Sequence, residues 1–312
     1  MTSKRLIVAQ HGRVLTVEFR NPPRNFFDEQ MSIELDEFTR SLRGKDDVGA
    51  VVFTGHAASY VTHFDVPTLV RGTRSVSFRI PYRPGRIVAA AAGLATRIRA
   101  MDRIMRHTPA RDVVFMARVY ASLDRLNRSD KAVVTAVNGL ALGMGCVFAL
   151  ACDVRLISED QQIGLPESAL GMLAGAGGAH RLTRMIGTGR AAELLLDGRW
   201  LTAQQAVELG LVHRAVPRHE LQGEAHRVAE RLAARSPVVR REIKRAVYGD
   251  GRRWPMREAA GLIATLTSPE ARRQLASYES YLAEHHENLT DEVIIDGWHR
   301  LLDNRPALAR IG

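Results

Sequence analysis

Two short β-type runs, Leu6–Gln10 and Val14–Phe19, flank His11-Gly12-Arg13, a spacing that predicts an opening hairpin. Asn21-Pro22-Pro23 then breaks the sheet. From Asp28 to Leu42 the apolar residues Met31, Leu35, Phe38 and Leu42 recur at helical spacing and give one buried face, which Gly44 ends. Val48–Phe53 is a continuous apolar run of strand length that stops at Thr54-Gly55. Parallel strands covered on both faces read this way.

The pattern changes after Asp65. Residues from about 68 to 129 hold a Pro/Gly/Arg loop, IPYRPGR, followed by helical segments predicted over Ile87–His107 and Val113–Leu126. The Ala89–Ala92 stretch inside them reads as a tight helix contact. Strand-like alternation resumes with Ala132–Val137 and Val154–Ile157, and a glycine-rich loop covers Gly171–Gly178. A helix is predicted over Ala191–Leu196. Thr202-Ala-Gln-Gln205 then has the spacing of a capping box, opening a helix that Gly210 ends, and Leu211–Val216 is the last predicted strand. Beyond Pro217 the periodicity is wholly helical, with Ser236-Pro237 and Ser268-Pro269 each offering an N-cap followed by proline at the first helical position. A Leu- and Tyr-bearing helical tail packs on another subunit or returns over its own domain. The reading divides the chain into a core, 1–217, with a mainly helical insertion at about 67–129, and a helical region, 218–312.

Between two of these strands lies the stretch that carries chemistry, Asn138–Asp153, NGLALGMGCVFALACD. It predicts strand, tight glycine turn and buried helix. Glycine at such a turn admits positive φ and close approach of a ligand, and the first helical N–H groups point outward. An oxyanion forming from a thioester or ester carbonyl is stabilised there; a turn that merely packs strand on helix reads equally well from this stretch alone. Thr54–Asp65 also follows a strand, and if the two strands are parallel neighbours their carboxyl ends, where open α/β folds bind ligands, sit together. Ile163-Gly-Leu-Pro-Glu167 adds a carboxylate after a proline in apolar context. Desolvation there raises its pKa and suits it to proton transfer, the plainer alternative being a surface charge at a helix start. Gly175-Ala-Gly-Gly178 lacks both the third glycine of a dinucleotide fingerprint and the Lys-Ser/Thr of a P-loop. His56, His63 and His180 have no nucleophile-elbow serine to serve.

Composition narrows the class. With 46% apolar and 25% charged residues, no apolar run of membrane-spanning length and no signal-peptide pattern, the chain reads as a cytoplasmic globular protein. Cys146 and Cys152 share the apolar helix and are not spaced as metal ligands, so they read as reduced, buried thiols. The net charge of +10 is almost all arginine, which grips phosphate oxygens bidentately and makes an anionic partner plausible. Against nucleic acid, the basic residues scatter over helix faces (Arg97, Arg99, Arg103, Arg106) with few aromatics between them.

Four stretches, TGHAASYVTHFDV, AVNGLALGMGCVFALACDVRLIS, IGLPESALGMLAGAGGAHRLTRMIG and LLDGRWLTAQQAVELGLVHRAV, together resemble the crotonase superfamily, the enoyl-CoA hydratase/isomerase family, over roughly residues 5–66 and 130–250. The resemblance implies an α/β fold, the crotonase (ClpP-like) spiral of ββα units with a C-terminal helical trimerisation region. It also implies an acyl-CoA thioester as substrate, CoA entering as part of that thioester with no separate cofactor and no metal. The partner implied is self, as a homotrimer or a dimer of trimers. An oxyanion hole would be formed by the backbone N–H groups of Thr62 and Met144, and Glu167 would be the acid/base. Arg24, Phe26, Phe64, Asp65 and Val66 would flank the pantetheine arm and adenine, and Leu140, Gly143, Val147 and Pro166 would complete the substrate site with His63.

The departures are as informative. A hydratase of this family uses two glutamates; Glu167 matches the second, but Val147 occupies the first position and can neither orient nor deprotonate water. A positioned base is worth roughly 100- to 10,000-fold, so hydration by the usual route is disfavoured. One carboxylate suffices to move a proton from C2 to C4, and family isomerases that look like this keep only the equivalent of Glu167. Met144 in place of the usual glycine is similar to carboxymethylproline synthases, which decarboxylate to an enolate, although those carry Gln where this chain has Val147. Thr62-His-Phe-Asp65 stands where small residues and glycine are common, and His63 is a candidate for protonating or binding a polar acyl group. The insertion after Asp65 falls where the family walls its acyl pocket. A non-catalytic acyl-CoA-binding protein, and an RNA-binding role of the kind known for some relatives, are the other classes left open.

Overall fold

A computed structural model, describing residues 4–74, 78–105, 107, 108, 110–248 and 254–302, forms the opening hairpin as predicted: β1 (Leu6–His11) pairs antiparallel with β2 (Val14–Phe19). Helix α1 (Glu29–Ser41) starts where Asp28 accepts the Met31 N–H at 2.8 Å and buries Met31, Leu35 and Phe38. After β3 (Ala50–Gly55) comes the insertion, helices α2 (Val66–Arg74), α3 (Tyr82–Ala95), α4 (Arg99–Met105) and α5 (Arg111–Arg128). The chain returns to the sheet with β4 (Ala132–Val137), then β5 (Ala141–Leu142), α6 (Met144–Leu150), β6 (Val154–Ser158) and β7 (Gln162–Gly164). A 3₁₀ turn (Glu167–Leu170), α7 (Gly178–Ile186), α8 (Thr188–Asp197), β8 (Trp200–Thr202), α9 (Ala203–Glu208) and β9 (Arg214–Val216) follow. Helices α10 (Leu221–Ala233), α11 (Pro237–Tyr248), α12 (Trp254–Leu266), α13 (Pro269–Glu284) and α14 (Asp291–Leu302) close the described chain.

The main sheet has the order β1-β2-β3-β4-β6-β9, parallel from β2 onward; β5, β7 and β8 form a second, smaller sheet. Alternate residues of β3 explain its unbroken apolar run. Val51 and Phe53 face the cluster that holds Met31, Leu35 and Phe148, whereas Ala50 and Val52 face Leu221, Ala225 and Val228 of α10. Both faces are covered, as the pattern predicts. Because α10 lies on this sheet, the first helix after residue 217 is part of the same core. A third cluster joins α13 and α14 to α2 and to Leu140 and Leu142, so the helical tail returns over its own domain.

Local signals hold where they are chemically specific. Thr202 and Gln205 make the reciprocal capping box, and Ser268 caps α13 by accepting from Ala271 N–H at 3.1 Å. Three readings are corrected. The single helix expected over Ile87–His107 is broken after Ala95: the Thr96 hydroxyl donates back to Gly93 O at 3.0 Å, competing with the helical ladder beside a residue of poor helix propensity. The predicted last strand shortens to Arg214–Val216, because Leu211 and Val212 turn to hydrogen-bond Ala206 O. The tight contact read at Ala89–Ala92 is corrected in extent: Ala92 alone of the four is buried, and the close approach lies one turn earlier at Gly85, where an added Cβ would lie 3.2 Å from Ala260 O of α12. Strands β5, β7 and β8 are too short to show a period, and α7 carries an amphipathic pattern that the sequence reading leaves within its glycine-rich loop region.

Candidate active site

β3 and β4 are parallel neighbours, so the loops leaving their carboxyl ends emerge together. Asn138 binds the two loops: its Oδ1 accepts from Gly55 N–H at 3.0 Å and its Nδ2 donates to Gly55 O at 2.8 Å and Ala57 O at 2.7 Å. Further along, Leu142 N–H donates to Thr62 O at 2.8 Å, and the Thr62 hydroxyl donates to Arg24 O at 2.6 Å. Gly143 then turns the chain at φ +50°, and at Gly145 a Cβ would lie 1.8 Å from Val61 O. Only glycine permits that approach, which seats the first turn of α6 against the residue before Thr62. Among the described residues, the Thr62 and Met144 amides donate to no protein acceptor.

Glu167 opens the 3₁₀ turn after Pro166, and its carboxylate reaches back to this junction. Its Oε1 lies 3.2 Å from where a Gly143 Cβ would be, and the residue is 9% exposed. The opposite wall is Val147, whose Cγ2 lies 2.8 Å from the Cβ position of Gly178. Glu167 and Val147 line a cavity of about 30 Å³, with Phe64, Leu69, Met116, Met172, Leu173, Gly175, Leu262 and Leu266. That space is large enough to admit water. Burial pushes the Cys146 thiol well up from its ordinary value and the nearby Glu167 charge adds to this, so Cys146 stays protonated; Cys152 is also a free, buried thiol pushed up by burial.

The structure gathers some of the sequence-predicted residues and assigns others elsewhere. Glu167 lies against Gly143, Val147 and Phe64 line the small cavity with it, and Thr62 is tied to the same turn through the Leu142 N–H; Met144 follows Gly143 and Pro166 precedes Glu167 in the chain. His63 adjoins through its Cβ, 3.9 Å from the Gly143 Cβ position, but its ring stacks on Phe26 at 4.6 Å and lies against Tyr278 and Trp298. Its Nδ1–H donates to Phe64 O at 2.6 Å, leaving Nε2 to accept from the Tyr278 hydroxyl at 3.3 Å. Burial lowers its pKa to about 4, so the ring is neutral near pH 7. The ring thus packs among Phe26, Tyr278 and Trp298, with both of its nitrogens engaged.

The residues expected beside CoA have structural partners. Arg24 pairs with Asp291 at the start of α14, and burial lowers its pKa. Asp65 Oδ2 accepts from both the Thr68 N–H and hydroxyl, tying down the start of α2, and Val66 and Leu140 are buried in the cluster around α13 and α14. Sequence reasoning missed Leu69, Met116, Leu262 and Leu266 as walls of the cavity and Tyr278 and Trp298 as supports of His63. The α12 and α13 residues lie about a hundred positions beyond Glu167, and no local pattern marks them.

A family model described as enoyl-CoA hydratase/isomerase matches residues 99–274, more than half of the sequence. The chain belongs to the enoyl-CoA hydratase/isomerase family. Within it, the short-chain-enoyl-CoA hydratase of Clostridium acetobutylicum is 38% identical over 123 residues, 39% of this chain and 47% of that protein. The 2,3-dehydroadipyl-CoA hydratase of Escherichia coli is 42% identical over 123 residues, 39% of this chain and 48% of that one. The chain thus spans about half the length of these relatives. Among solved structures, Pseudomonas aeruginosa DspI superposes with a TM-score of 0.63 at 28% identity, covering 81% of this chain and 90% of that one. An enoyl-CoA hydratase/isomerase from Pseudoalteromonas atlantica superposes at 0.68 and 22% identity over 89% and 97%, a likeness of fold. The family fold, the crotonase spiral with a helical C-terminal region, is the one the sequence motifs implied. No group of three or more metal-binding side chains lies together among the described residues, and no helix among them is long and apolar enough to cross a membrane.

Proposed function

We propose that this protein binds an acyl-CoA thioester and shifts a double bond through an enolate, with Glu167 as its acid/base and the Thr62 and Met144 amides as its oxyanion hole. The observation that carries the reading is the burial of Glu167 against Gly143, one residue from the Met144 amide, with valine on the facing wall. In the proposed reaction the Glu167 carboxylate takes a proton from C2 of a 3-enoyl thioester. The electron pair moves onto the thioester oxygen, where two amide dipoles stabilise it, and the same carboxyl returns the proton at C4, leaving the double bond between C2 and C3. One group acts as base and then acid, so no second carboxylate is required. The substrate carries CoA itself, and self-association as a trimer or dimer of trimers belongs to the same proposal.

Glu167→Gln tests it. Turnover of the isomerised 3-enoyl-CoA is expected to fall by roughly 100- to 10,000-fold with binding retained; wild-type turnover would remove Glu167 from the mechanism. Hydration is the second reading, favoured by the names of the relatives, both hydratases. Val147→Glu restores a second carboxylate and is expected to raise crotonyl-CoA hydration above the wild-type level. A wild-type enzyme that already hydrates faster than it isomerises would favour the second reading.

A further inference from the structure

The basic excess of this chain is local. Residues 66–111 hold ten arginines against a single carboxylate, Asp102, so nine of the ten units of net positive charge lie in that stretch. Asp102 is itself buried and paired with Arg118 of α5, and α3 and α4 therefore present arginine and no exposed carboxylate. Arg83, Arg86, Arg97 and Arg103 are exposed and, among the described residues, pair with no carboxylate. Apolar side chains stand between them. Ile87 and Leu94 lie two turns apart on one stripe of α3, and Ile98, Met101 and Ile104 continue the series at intervals of three into α4. All but Met101 are more than half exposed. What α3 buries is small: Gly85, packed on α12, and Ala92. A surface helix of a globular protein turns its large apolar residues inward; α3 turns them outward, among arginines.

We propose that α3 and α4 dock the protein on the surface of an anionic lipid bilayer. The arginines meet headgroup phosphates, whose oxygens a guanidinium grips in pairs, and the aliphatic side chains enter the boundary between headgroups and acyl chains. Charge and apolarity together single out this occupant. A bilayer interface takes cations and aliphatic groups side by side in one plane. A single-stranded nucleic acid calls instead for exposed rings on which bases stack, whereas the side chains between these arginines are isoleucine, leucine and methionine. No helix among the described residues is long and apolar enough to cross a membrane, so the contact is one of lying on the surface. The inference is independent of the reaction proposed at Glu167, and its test contains no thioester.

The test is cosedimentation of the full chain with extruded vesicles, one set of equal parts phosphatidylglycerol and phosphatidylcholine, the other of phosphatidylcholine alone. Wild-type protein is expected to partition onto the anionic vesicles more strongly by about tenfold or more, since each arginine near such a surface contributes about fivefold. Added salt is expected to remove most of that preference, because it shortens the reach of the surface charge. Ile87→Ser combined with Ile104→Ser is expected to weaken binding to anionic vesicles by about tenfold or more, through lost apolar burial. Arg83→Gln combined with Arg86→Gln and Arg103→Gln is expected to erase the difference between the two vesicle types. All five side chains are exposed, so the circular dichroism melt of each variant is expected to match wild type. Absence of wild-type binding to anionic vesicles, or undiminished binding by the isoleucine variant, overturns the proposal. Two further results also overturn it. A change in the sedimentation velocity of the isoleucine variant without vesicles assigns the face to a second copy of the chain, and binding to single-stranded RNA with none to vesicles assigns the charge to nucleic acid.

Discussion

The spiral core and the helices inserted into it are built to opposite specifications. Around β3, β4 and α6 nearly every side chain is fully buried, and backbone meets backbone with no room for a methyl group at Gly145. In the insertion, α3 and α4 leave Ile87, Leu94 and Ile104 more than half exposed, and α3 and α5 line, with α12, a hollow of about 920 Å³. A few buried polar anchors hold the second region to the first. Arg118 of α5 donates to Asp102 of α4 at 2.9 Å and to Ser32 of α1 at 3.0 Å, and it is wholly buried. The contrast separates two demands: stabilising charge on one oxygen requires fixed amides, whereas accommodating an acyl group requires space and side chains that yield.

The comparison breaks most sharply at glycine. Gly145→Ala forces apart the loops that carry Thr62 and Met144, and catalysis is expected to fall at least as far as on loss of one oxyanion donor, about 100- to 1,000-fold; activity within threefold of wild type would show that the close approach is dispensable. Arg118→Ala leaves Asp102 charged and buried, and is expected to cost about 3–5 kcal/mol in urea unfolding. A loss below 1 kcal/mol would mean that the insertion is held by something else. Between the two regions sits His63, whose pKa is lowered to about 4 in the folded chain from an ordinary 6.5. The unfolded chain therefore binds the proton first as pH falls, so stability is full above pH 6.5 and declines toward pH 4, by on the order of 3 kcal/mol from this group. His63→Phe is expected to make that decline shallower; an unchanged slope would assign it to His180 and His213, which are shifted the same way. The smallest effect belongs to the roomy region. Gly93→Ala adds a methyl group to open space in a helix and is expected to stabilise by about 0.5–1 kcal/mol, with destabilisation in a thermal melt contradicting the hollow.

The same contrast governs what could be read from the sequence. Short-range chemistry was legible: the apolar run of β3, the helical period of α1, the Ser268 cap and the Thr202–Gln205 box each depend on residues a few positions apart. So were the two loops and Glu167, because parallel neighbouring strands bring their following loops together wherever the intervening helices go. Arg24 illustrates the limit. Its pairing with Asp291, more than 260 positions away, is a long-range contact that no local pattern marks. The cavity walls fail for the same reason, since Met116, Leu262 and Leu266 acquire a common surface only when α5 and α12 pack around the site. The break after Ala95 was recoverable in principle from Gly93 and Thr96, three residues apart.

The support of His63 by Tyr278 and Trp298 has a consequence for how much of the chain the site needs. A polypeptide stopped at Thr267 would retain every strand of both sheets, Glu167 and the loops that carry Thr62 and Met144, and would still resemble its relatives along the spiral. It would nonetheless have removed two of the three rings that enclose His63 and the carboxylate that holds Arg24. A chain shortened in this way would thus keep the signature of the fold while shedding the backing of its first loop.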